Sequence, residues 1–507
     1  MIRLYNTLSK RVEDFVPLEA DRVRMYTCGP TVHDHPHIGN FRTFIWEDLL
    51  RRTLELGGYQ VTQVMNLTDV DDKTIRKSQE KGVTLAEYTE PYVRSFFEGL
   101  DVLRVKRAEF YPRATDHIPE MIRMIETLRD KGVTYVSQGS LYFRIGAFPD
   151  YGRLSGVERR ELLDGARIDS DEYEKESARD FVLWKARKEN EPYWDSPFGP
   201  GRPGWHIECS AMSFKYLGET FDIHTGGVDN IFPHHENEIA QSEACSGKPF
   251  VRYWLHAAHL LVDSGKMSKS LGNFFTLREI LDKGVDPRAV RWLLLGTHYR
   301  RNLNFSFDGL SQAAREIGRL EDFRTRLEEA AAGATTGPLT AGERDGSGIA
   351  DPADRTHREG GPSGSSSPVD RIVGGANGSG GPSPVARSIA SSVEEFGSSL
   401  TDDLNISSAL GAVFRMVRDT NAALDRGEAN AADIAAARKA LAGFDEILQV
   451  LRKEGAVLDE DVEGLIRRRE EARKARNFAE SDRIRQELAS QGIVLEDTPH
   501  GVRWKRR

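Results

Sequence analysis

The segment from Tyr26 to Phe44, YTCGPTVHDHPHIGNFRTF, constrains the fold of this chain more than any other. Before it, Arg22–Tyr26 alternates polar and apolar residues, which predicts a half-buried strand. After it, apolar residues recur at helical spacing until Gly57 and Gly58, which end the predicted helix. A polar turn between a strand and a helix N-terminus favours anions, because free N–H groups and the helix dipole point at the ligand.

The rest of the first 300 residues continues this pattern. A second strand is predicted at Gln60–Asn66, which makes the opening a parallel α/β unit. Further strands are predicted at Phe221–His224 and Tyr253–Val262, and Pro233 opens a helix between them. Residues of about 145–200 are charged and interrupted by proline, which indicates an insertion between two halves of the fold.

The region after residue 300 is predicted to be helical. Apolar residues three and four apart run from Leu310 to Leu327 and recur at Leu404–Val417 and Ile434–Leu451, as in a helical bundle. The intervening Gly333–Val385 is rich in Gly, Ser, Pro and Ala and has no aromatic residue. Such a composition buries too little apolar surface to offset chain entropy, so we expect a disordered insertion there.

Composition limits the setting in which the chain works. The 507 residues carry a net charge of −9, and no stretch approaches the 18 apolar residues of a membrane span. Three cysteines are too few for a disulfide framework, so a cytoplasmic location without membrane contact is expected. Twelve basic against seven acidic residues follow position 466, which predicts a local contact with a polyanion.

Four scattered residues are candidate metal ligands. Cys28 and Cys209 lie where loops leave strands, while His234 and Glu238 are four apart on a predicted helix and share one face. Zinc favours Cys, His and carboxylate ligands in a tetrahedral shell. The alternative is two buried, inert cysteines and a solvated helix start, and the HExxH pattern of metalloproteases is absent.

Two short motifs carry a family resemblance. His37-Ile38-Gly39-Asn40, at the predicted helix start, resembles the HIGH signature of class I aminoacyl-tRNA synthetases. Lys266-Met267-Ser268-Lys269-Ser270, far downstream, is identical to the KMSKS signature of the same class. The order and separation of the two motifs fit that class.

The chain resembles the cysteinyl-tRNA synthetase family over nearly its whole length, except 333–385. The matching segments are CGPTVHDHPHIGN, NLTDVDDK, YPRATDHI, GWHIECSAM, TGGVDNIFPHHENEIAQSEA, KMSKSLGN, THYRRNLNFS and the C-terminal EARKARNFAESDRIRQEL. The resemblance implies an α/β fold with three parts. They are a Rossmann-type parallel-sheet catalytic domain over 1–300 with an inserted segment at about 115–200, an α-helical bundle over 301–455, and a basic anticodon-binding domain over 456–507.

The resemblance also implies roles for individual residues. Zinc would be held by Cys28, Cys209, His234 and Glu238, and Trp205 would cover the bound amino acid, unless it is a plain core tryptophan. The other implied contacts are His37 and Asn40 with the phosphates of ATP in the transition state; Lys266 and Lys269 with the leaving pyrophosphate; Gly39, Met267, Ser268, Lys269 and Ser270 with ATP; Gly227 and Asp229 with the ribose of ATP; and Gly29 and Thr68 with the amino acid.

The implied reaction joins L-cysteine to tRNA(Cys), with ATP and Mg²⁺, in a monomer. Asn40 departs from the second histidine of HIGH, and an amide never carries a positive charge. The arginines of the tail, interleaved with Phe478 and Trp504, suit stacking on single-stranded bases, although a solvated charged helix explains part of them.

Two other functions remain open at this point. A cysteine ligase of the mycothiol pathway resembles the same catalytic core but lacks the basic C-terminal end that this chain has. An inactive tRNA-binding protein is disfavoured because His37, Lys266, Lys269 and all four candidate ligands are present.

Overall fold

The computed structural model describes residues 1–157, 180–262, 265–266, 273–335, 382–452, 460–475, 477–490, 493–498 and 501–506. The predicted disordered insertion therefore lies almost wholly outside the described residues. The chain divides into two compact units, residues 1–450 and 451–507. Within the described part of the chain, no helix combines the length and the apolar composition that a membrane crossing needs.

The strands are short and fall mainly in the first 305 residues. They are β1 Arg3–Asn6, β2 Arg11–Asp14, β3 Arg22–Thr27, β4 Gln60–Met65, β5 Thr134–Ser137, β6 Ser140–Phe143, β7 Phe181–Ala186, β8 Gly201–Pro203, β9 Phe221–Gly227, β10 Val251–Ala257, β11 Leu260–Val262, β12 Gly265–Lys266, β13 Leu303–Phe305, β14 Ile493–Thr498 and β15 Gly501–Arg506.

The helices alternate with the strands at first and then follow one another. They are α1 Ile38–Leu56, α2 Asp72–Lys81, α3 Leu85–Val102, α4 Ile118–Asp130, α5 Trp205–Leu217, α6 Glu236–Ser246, α7 Leu277–Leu281, α8 Pro287–Leu295, α9 Phe307–Thr335, α10 Pro384–Thr401, α11 Ile406–Asp425, α12 Ala431–Leu448, α13 Glu460–Lys474 and α14 Phe478–Ser490.

The central sheet is parallel and has the strand order β10-β9-β3-β4. Its strands are buried along most of their length because helices cover them, as all-parallel sheets require. Helix α1 makes the predicted crossover from β3 to β4, and Gly57 caps its end. The parallel α/β prediction from the first 66 residues is confirmed.

The inserted segment has a sheet of its own. Strands β5, β6, β7 and β8 form an antiparallel sheet in that order. Strands β5 and β6 form a hairpin, and β7 and β8 extend it. A shared apolar core joins this sheet to α4 and α5, with Leu128, Phe143 and Trp184 fully buried.

Two boundary predictions were wrong. The strand expected at Tyr253–Val262 is broken in two, because β10 joins the central sheet while β11 pairs with β12 and β13. The helix expected to open at Pro233 begins at Glu236, after a wider turn over Ile231–His235 in which Phe232 has extended backbone angles.

The helical region after residue 305 matches the predicted spacing. Helices α9, α11 and α12 cover the three predicted segments, and their apolar faces are buried. Helix α10 was not predicted, because its serine-rich sequence borders the Gly/Ser/Pro-rich stretch. Ser383 caps it by accepting a hydrogen bond from the backbone N–H of Ala386 at 2.9 Å.

The C-terminal unit is a pair of helices with a hairpin. Helices α13 and α14 precede the antiparallel strands β14 and β15, whose register runs from Ile493 opposite Arg506 to Thr498 opposite Gly501. A small core holds the unit together, formed by Leu465, Ile484, Leu488 and Leu495.

Candidate active site

A pocket of about 510 Å³ opens at the carboxyl ends of the four parallel strands. Its wall includes Cys28 and Asn66, directly after β3 and β4, and Gly227 and Ala257, the last residues of β9 and β10. Strand β3 lies between β4 and β9, so the strand order reverses beside it. Crevices at this point of an open parallel sheet are the usual ligand sites of such folds.

The loop after β3 is fixed to the neighbouring strands by its backbone. The N–H of Cys28 donates to the carbonyl oxygen of Thr225 at 3.1 Å, and the N–H of Gly29 donates to Oδ1 of Asn66 at 2.9 Å. A Cβ atom on Gly29 would lie 1.7 Å from the carbonyl oxygen of Asn66. Only glycine fits at position 29, and the loop is therefore held flat against β4.

The start of α1 is capped by two of the predicted phosphate-binding residues. Nδ1 of His37 accepts from the backbone N–H of Asn40 at 3.2 Å, and Oδ1 of Asn40 accepts from the N–H of His37 at 3.1 Å. Both residues line the pocket together with Gly39. The motif His37–Asn40 therefore ends the loop after β3, starts α1 and lines the pocket.

Helices α2 and α3 hold the histidine loop from its outer side. The carbonyl oxygen of His33 accepts from Nζ of Lys77 at 3.1 Å and from the hydroxyl of Tyr88 at 2.9 Å. The ring of His35 pairs with the hydroxyl of Ser95 at 2.9 Å. Neither helix was predicted from the sequence, although the Asp71 cap and the apolar residues of α3 are signals that could have revealed both helices.

The four predicted ligands converge at the base of the pocket. Cys28, Cys209, His234 and Glu238 are all buried, and one donor atom from each lies within 4.8 Å of the others. We call this set the ligand cluster. Cys28 directly follows β3, and Cys209 lies on α5. His234 belongs to the turn before α6, and Glu238 lies on α6 itself. The structure thus brings together residues that are more than 200 positions apart.

The distances within the ligand cluster are close to those around a metal ion. Sγ of Cys209 lies 3.6 Å from Nε2 of His234, and Oε1 of Glu238 lies 3.0 Å from the same nitrogen. Bonds of about 2.0–2.3 Å to a tetrahedral ion place its ligand atoms roughly 3.3–3.8 Å apart, so the first distance lies in this range and the second is slightly shorter. Oε1 of Glu238 accepts no hydrogen bond although it is buried, which leaves it available to a cation.

Neighbouring groups orient the ligands toward a common centre. Nδ1 of His234 pairs with Nδ1 of His206 at 2.9 Å, so Nε2 is the nitrogen that faces the cluster. The second oxygen of Glu238 pairs with Nε2 of His224 at 3.0 Å. Such partners around the ligands are typical of metal sites, because they fix ring orientation and tautomer.

Burial makes the ligand cluster unfavourable for charge. It lowers the pKa of His234 to about 4 and raises the pKa of Glu238 to about 7. The hydrogen bond with Cys28, followed by burial, raises the pKa of Cys209 well above its usual value. A bound cation would offset this cost, since it stabilises thiolates and carboxylates directly.

A second group of possible ligands overlaps the first. It contains Cys28, His224, His235 and Glu238, which also lie within 4.8 Å of one another. Nδ1 of His235 is paired with Nε2 of His256 at 2.8 Å. Neither His224 nor His235 lines the pocket, whereas three members of the ligand cluster do. Sequence spacing gave no signal for these two histidines, because β9 and the turn before α6 meet only in the fold.

Trp205 belongs to the pocket wall. Its side chain is 43% exposed, and its ring stacks on the ring of His234 with centroids 4.0 Å apart. The core-tryptophan alternative from the sequence is therefore excluded. The stacking places an apolar surface directly beside the ligand cluster.

The remaining predicted contacts lie on the same wall. Gly29, Thr68, Gly227 and Asp229 all line the pocket. The hydroxyl of Thr68 donates to Oε2 of Glu208 at 3.0 Å, and the carboxylate of Asp229 lies 3.5 Å from Nε2 of His259.

The second signature is only partly described. Lys266 ends β12, which pairs with β11 beyond β10. Met267, Ser268, Lys269 and Ser270 lie outside the described residues, so their roles stay predictions.

The comparisons with known proteins agree with the site. Residues 14–315 match the family described as the class I (C) tRNA synthetase catalytic domain. Residues 395–452 match the DALR domain and residues 456–504 the cysteinyl-tRNA ligase anticodon binding domain. The cysteine–tRNA ligase of Solibacter usitatus is 48% identical to the chain, with all of both chains covered. The chain belongs to the cysteine–tRNA ligase family.

Two further comparisons agree with this result. The cysteine–tRNA ligase of Chlamydia muridarum is 47% identical, with 99% of each chain covered. The methionyl-tRNA synthetase of Mycobacterium tuberculosis, solved with methionyl-adenylate, superimposes with a TM-score of 0.56 over 85% of this chain and 90% of that one, at 16% identity. The second likeness shows the fold alone. The family and the class I catalytic fold predicted from the sequence are both confirmed.

Proposed function

We propose that this enzyme activates L-cysteine with ATP to cysteinyl-adenylate and then transfers the cysteinyl group to the 3′-terminal ribose of tRNA(Cys). The observation that carries the proposal is the ligand cluster, which lies at the base of a pocket whose rim is the capped start of α1. The cluster suits a thiol-bearing substrate and the helix start suits phosphates.

Cys28, Cys209, His234 and Glu238 would hold a zinc ion. Bound zinc supplies a preference for a substrate thiolate over a hydroxyl, which distinguishes cysteine from serine. An apolar pocket alone separates such close analogues by only about 1–3 kcal/mol. The donor set, with two thiols, one imidazole and one carboxylate, fits zinc better than magnesium or calcium, which prefer oxygen ligands.

The walls of the pocket would hold the rest of the amino acid. Trp205 would cover the site beside His234, while Gly29 and Thr68 line the pocket on the loops after β3 and β4. The hydroxyl of Thr68 is fixed by Glu208, so its oxygen keeps a defined position. These contacts orient the carboxylate of the substrate for attack.

Activation needs positioning rather than a base. The carboxylate of cysteine is already ionised at neutral pH and attacks the α-phosphorus of ATP, whose pyrophosphate leaves with Mg²⁺. His37, Gly39 and Asn40 at the start of α1 contact the phosphates, and Gly227 and Asp229 contact the ribose. Lys266 and Lys269 would close over the leaving pyrophosphate, and Met267, Ser268 and Ser270 would bind ATP.

The C-terminal unit would bind the tRNA. Its helices and hairpin form a separate compact body with an excess of basic residues. We assign residues 1–300 to catalysis, 301–455 to the helical bundle and 456–507 to anticodon binding. Truncation before Leu465 should leave adenylate formation intact and weaken tRNA charging. Equal loss of both activities would refute this division.

The decisive experiment is attachment of radiolabelled cysteine to purified tRNA(Cys) with ATP and zinc-replete enzyme. We expect charging that disappears in Cys209→Ala while far-UV circular dichroism stays unchanged. Charging that is absent in the parent enzyme, with cysteine-dependent ATP–pyrophosphate exchange retained, would point instead to a ligase that transfers cysteine to an amino sugar. Loss of both activities in folded protein would favour an inactive tRNA-binding protein.

A further inference from the structure

Lys73 is a cation of the pocket that the roles proposed above leave unused. It is the only lysine or arginine among the described residues that line the pocket. Its side chain is exposed, and within the described part of the chain it makes no hydrogen bond or ion pair. Its helix neighbour Lys77, one turn on, is by contrast engaged with the carbonyl oxygen of His33 and with Asp34.

The fold fixes the direction in which Lys73 points. Residues four apart share one face of a helix, so Lys73 and Lys77 both face the histidine loop. Asp72, the residue before Lys73, faces the inserted sheet, where its carboxylate pairs with Nζ of Lys185 at 2.8 Å and with Arg202. Helix α2 is thus held on both sides, and Lys73 lies on it at the wall of the pocket.

The charge of Lys73 is not cancelled by its acidic neighbours. Burial disfavours ionisation of Asp72, but Lys185 and Arg202 outweigh it and lower its pKa to about 2. Oδ1 of Asp71 accepts from the backbone N–H of Thr74 at 2.8 Å as the cap of α2. Burial, and then the charge of Lys73, lower the pKa of His33, so the ring beside it is neutral near pH 7.

We propose that Lys73 binds a phosphate group of a substrate, resting on the function proposed above. Both substrates that carry phosphate enter this pocket, so the group belongs either to ATP or to the 3′-terminal phosphodiesters of the tRNA. An ammonium group on a flexible stem suits a phosphate oxygen, and hydrogen bonds between charged partners are stronger than neutral ones.

The test separates the two steps of the reaction in full-length enzyme. Lys73→Met removes the charge and keeps the length of the side chain, and Lys73→Arg restores a cation. Arg76→Met is the matched control, because Arg76 lies on the same helix, is 67% exposed at its side chain and pairs with Glu80 outside the pocket. Each variant is assayed for ATP–pyrophosphate exchange and for single-turnover transfer from preformed cysteinyl-adenylate to tRNA(Cys) transcript.

The expected result is a loss of about tenfold or more in one step for Lys73→Met, with recovery to within about threefold in Lys73→Arg and no change in Arg76→Met. A raised KM for ATP with normal transfer identifies the phosphate of ATP. Normal exchange with slow transfer, together with a weaker salt dependence of tRNA binding, identifies the tRNA.

Two outcomes would overturn the proposal. In one, Lys73→Met stays within twofold of the parent in both steps. In the other, Lys73→Met and Lys73→Arg lose activity equally at unchanged melting temperature, since a phosphate contact requires the charge. Both differ from failure of the proposed function, in which the parent enzyme itself would lack exchange and transfer.

Discussion

Two groups of buried polar side chains in residues 1–450 differ in how their atoms are satisfied. In the Asp48 cluster, defined as Asp48, Arg52 and Arg291, Oδ2 of Asp48 accepts from Arg291 at 2.6 Å and from Arg52 at 2.9 Å. Arg291 donates further to the carbonyl oxygens of Leu448 and Leu103. In the ligand cluster, Oε1 of Glu238 accepts no hydrogen bond at all.

The difference separates a structural network from a site. The Asp48 cluster satisfies itself and joins α1, α8 and the end of α12, so nothing is left for a ligand. The ligand cluster brings four ligand atoms together and still leaves Oε1 of Glu238 buried without a hydrogen bond. Buried polar atoms without partners cost stability, and they persist where function requires them.

The largest expected effect tests the structural side of this comparison. Asp48→Asn leaves the guanidinium of Arg291 buried without a counter-charge, which should lower the free energy of unfolding by about 3–5 kcal/mol. Denaturant titration followed by circular dichroism measures the loss. Asp130→Asn is the control, because the Arg129–Asp130 pair is exposed and should change nothing measurable. Equal losses in the two variants would contradict the distinction.

The next prediction compares two buried glutamates on α6. Glu236 accepts from the backbone N–H groups of Gly152 and Ser155, each at 2.8 Å, whereas Glu238 has its free oxygen in the ligand cluster. Glu238→Gln should weaken zinc binding at least about hundredfold and leave the stability of metal-free protein nearly unchanged. Glu236→Gln should lower the stability of the metal-free protein and leave zinc binding nearly unchanged, because an amide accepts hydrogen bonds on one atom only.

Zinc content after dialysis and the melting temperature of metal-free protein measure both effects in each variant. If Glu236→Gln lost zinc as readily as Glu238→Gln, the assignment of Glu238 as a zinc ligand and of Glu236 as a structural residue would be wrong.

A smaller effect is expected on the pH dependence of the free energy of unfolding, through Asp48. Burial disfavours ionisation of Asp48, but the charges of Arg291 and Arg52 outweigh it, so the pKa of the folded state lies below the usual value. A lowered pKa contributes stability that is present above about pH 4 and is lost as the pH falls through the folded value. The free energy of unfolding between pH 5 and pH 3 should therefore fall less steeply in Asp48→Asn than in the parent. If the free energy of unfolding fell equally steeply with pH in both proteins, Asp48 would not be the source of the acid sensitivity.

The smallest effect concerns Asn40, whose side chain is satisfied and still faces the pocket. Asn40→His should change kcat for pyrophosphate exchange by less than tenfold, because both side chains accept and donate one hydrogen bond without charge. Asn40→Ala, which does neither, should lose more. A hundredfold change in Asn40→His would mean that charge at this position matters.

Local patterns were enough to predict the start of the fold. The strand, turn and helix around His37 follow from alternation, glycine positions and helical spacing over fewer than forty residues. Residue spacing alone did not decide between a metal site and two inert cysteines, because the members of the ligand cluster are far apart in sequence. Only the family resemblance predicted these four residues as zinc ligands.

Other features could not be read from local patterns. Asp48 and Arg291 lie 243 positions apart, and no periodicity links them. Tyr253–Val262 was predicted as one strand because most of its residues are apolar, but pairing with β13 places Leu260–Val262 in another sheet. His224 and His235 join the site through the packing of β9 against the turn before α6, which only the tertiary structure determines.

The reciprocal cap at the start of α1 also decides where hydrogen atoms lie. Nδ1 of His37 accepts from a backbone N–H, so the neutral ring carries its hydrogen on Nε2. Oδ1 of Asn40 accepts likewise, which turns the two N–H bonds of its amide away from the cap. The tautomer of His37 and the rotamer of Asn40 are therefore set by the backbone before any nucleotide binds, and the pocket presents hydrogen-bond donors without a preceding proton transfer.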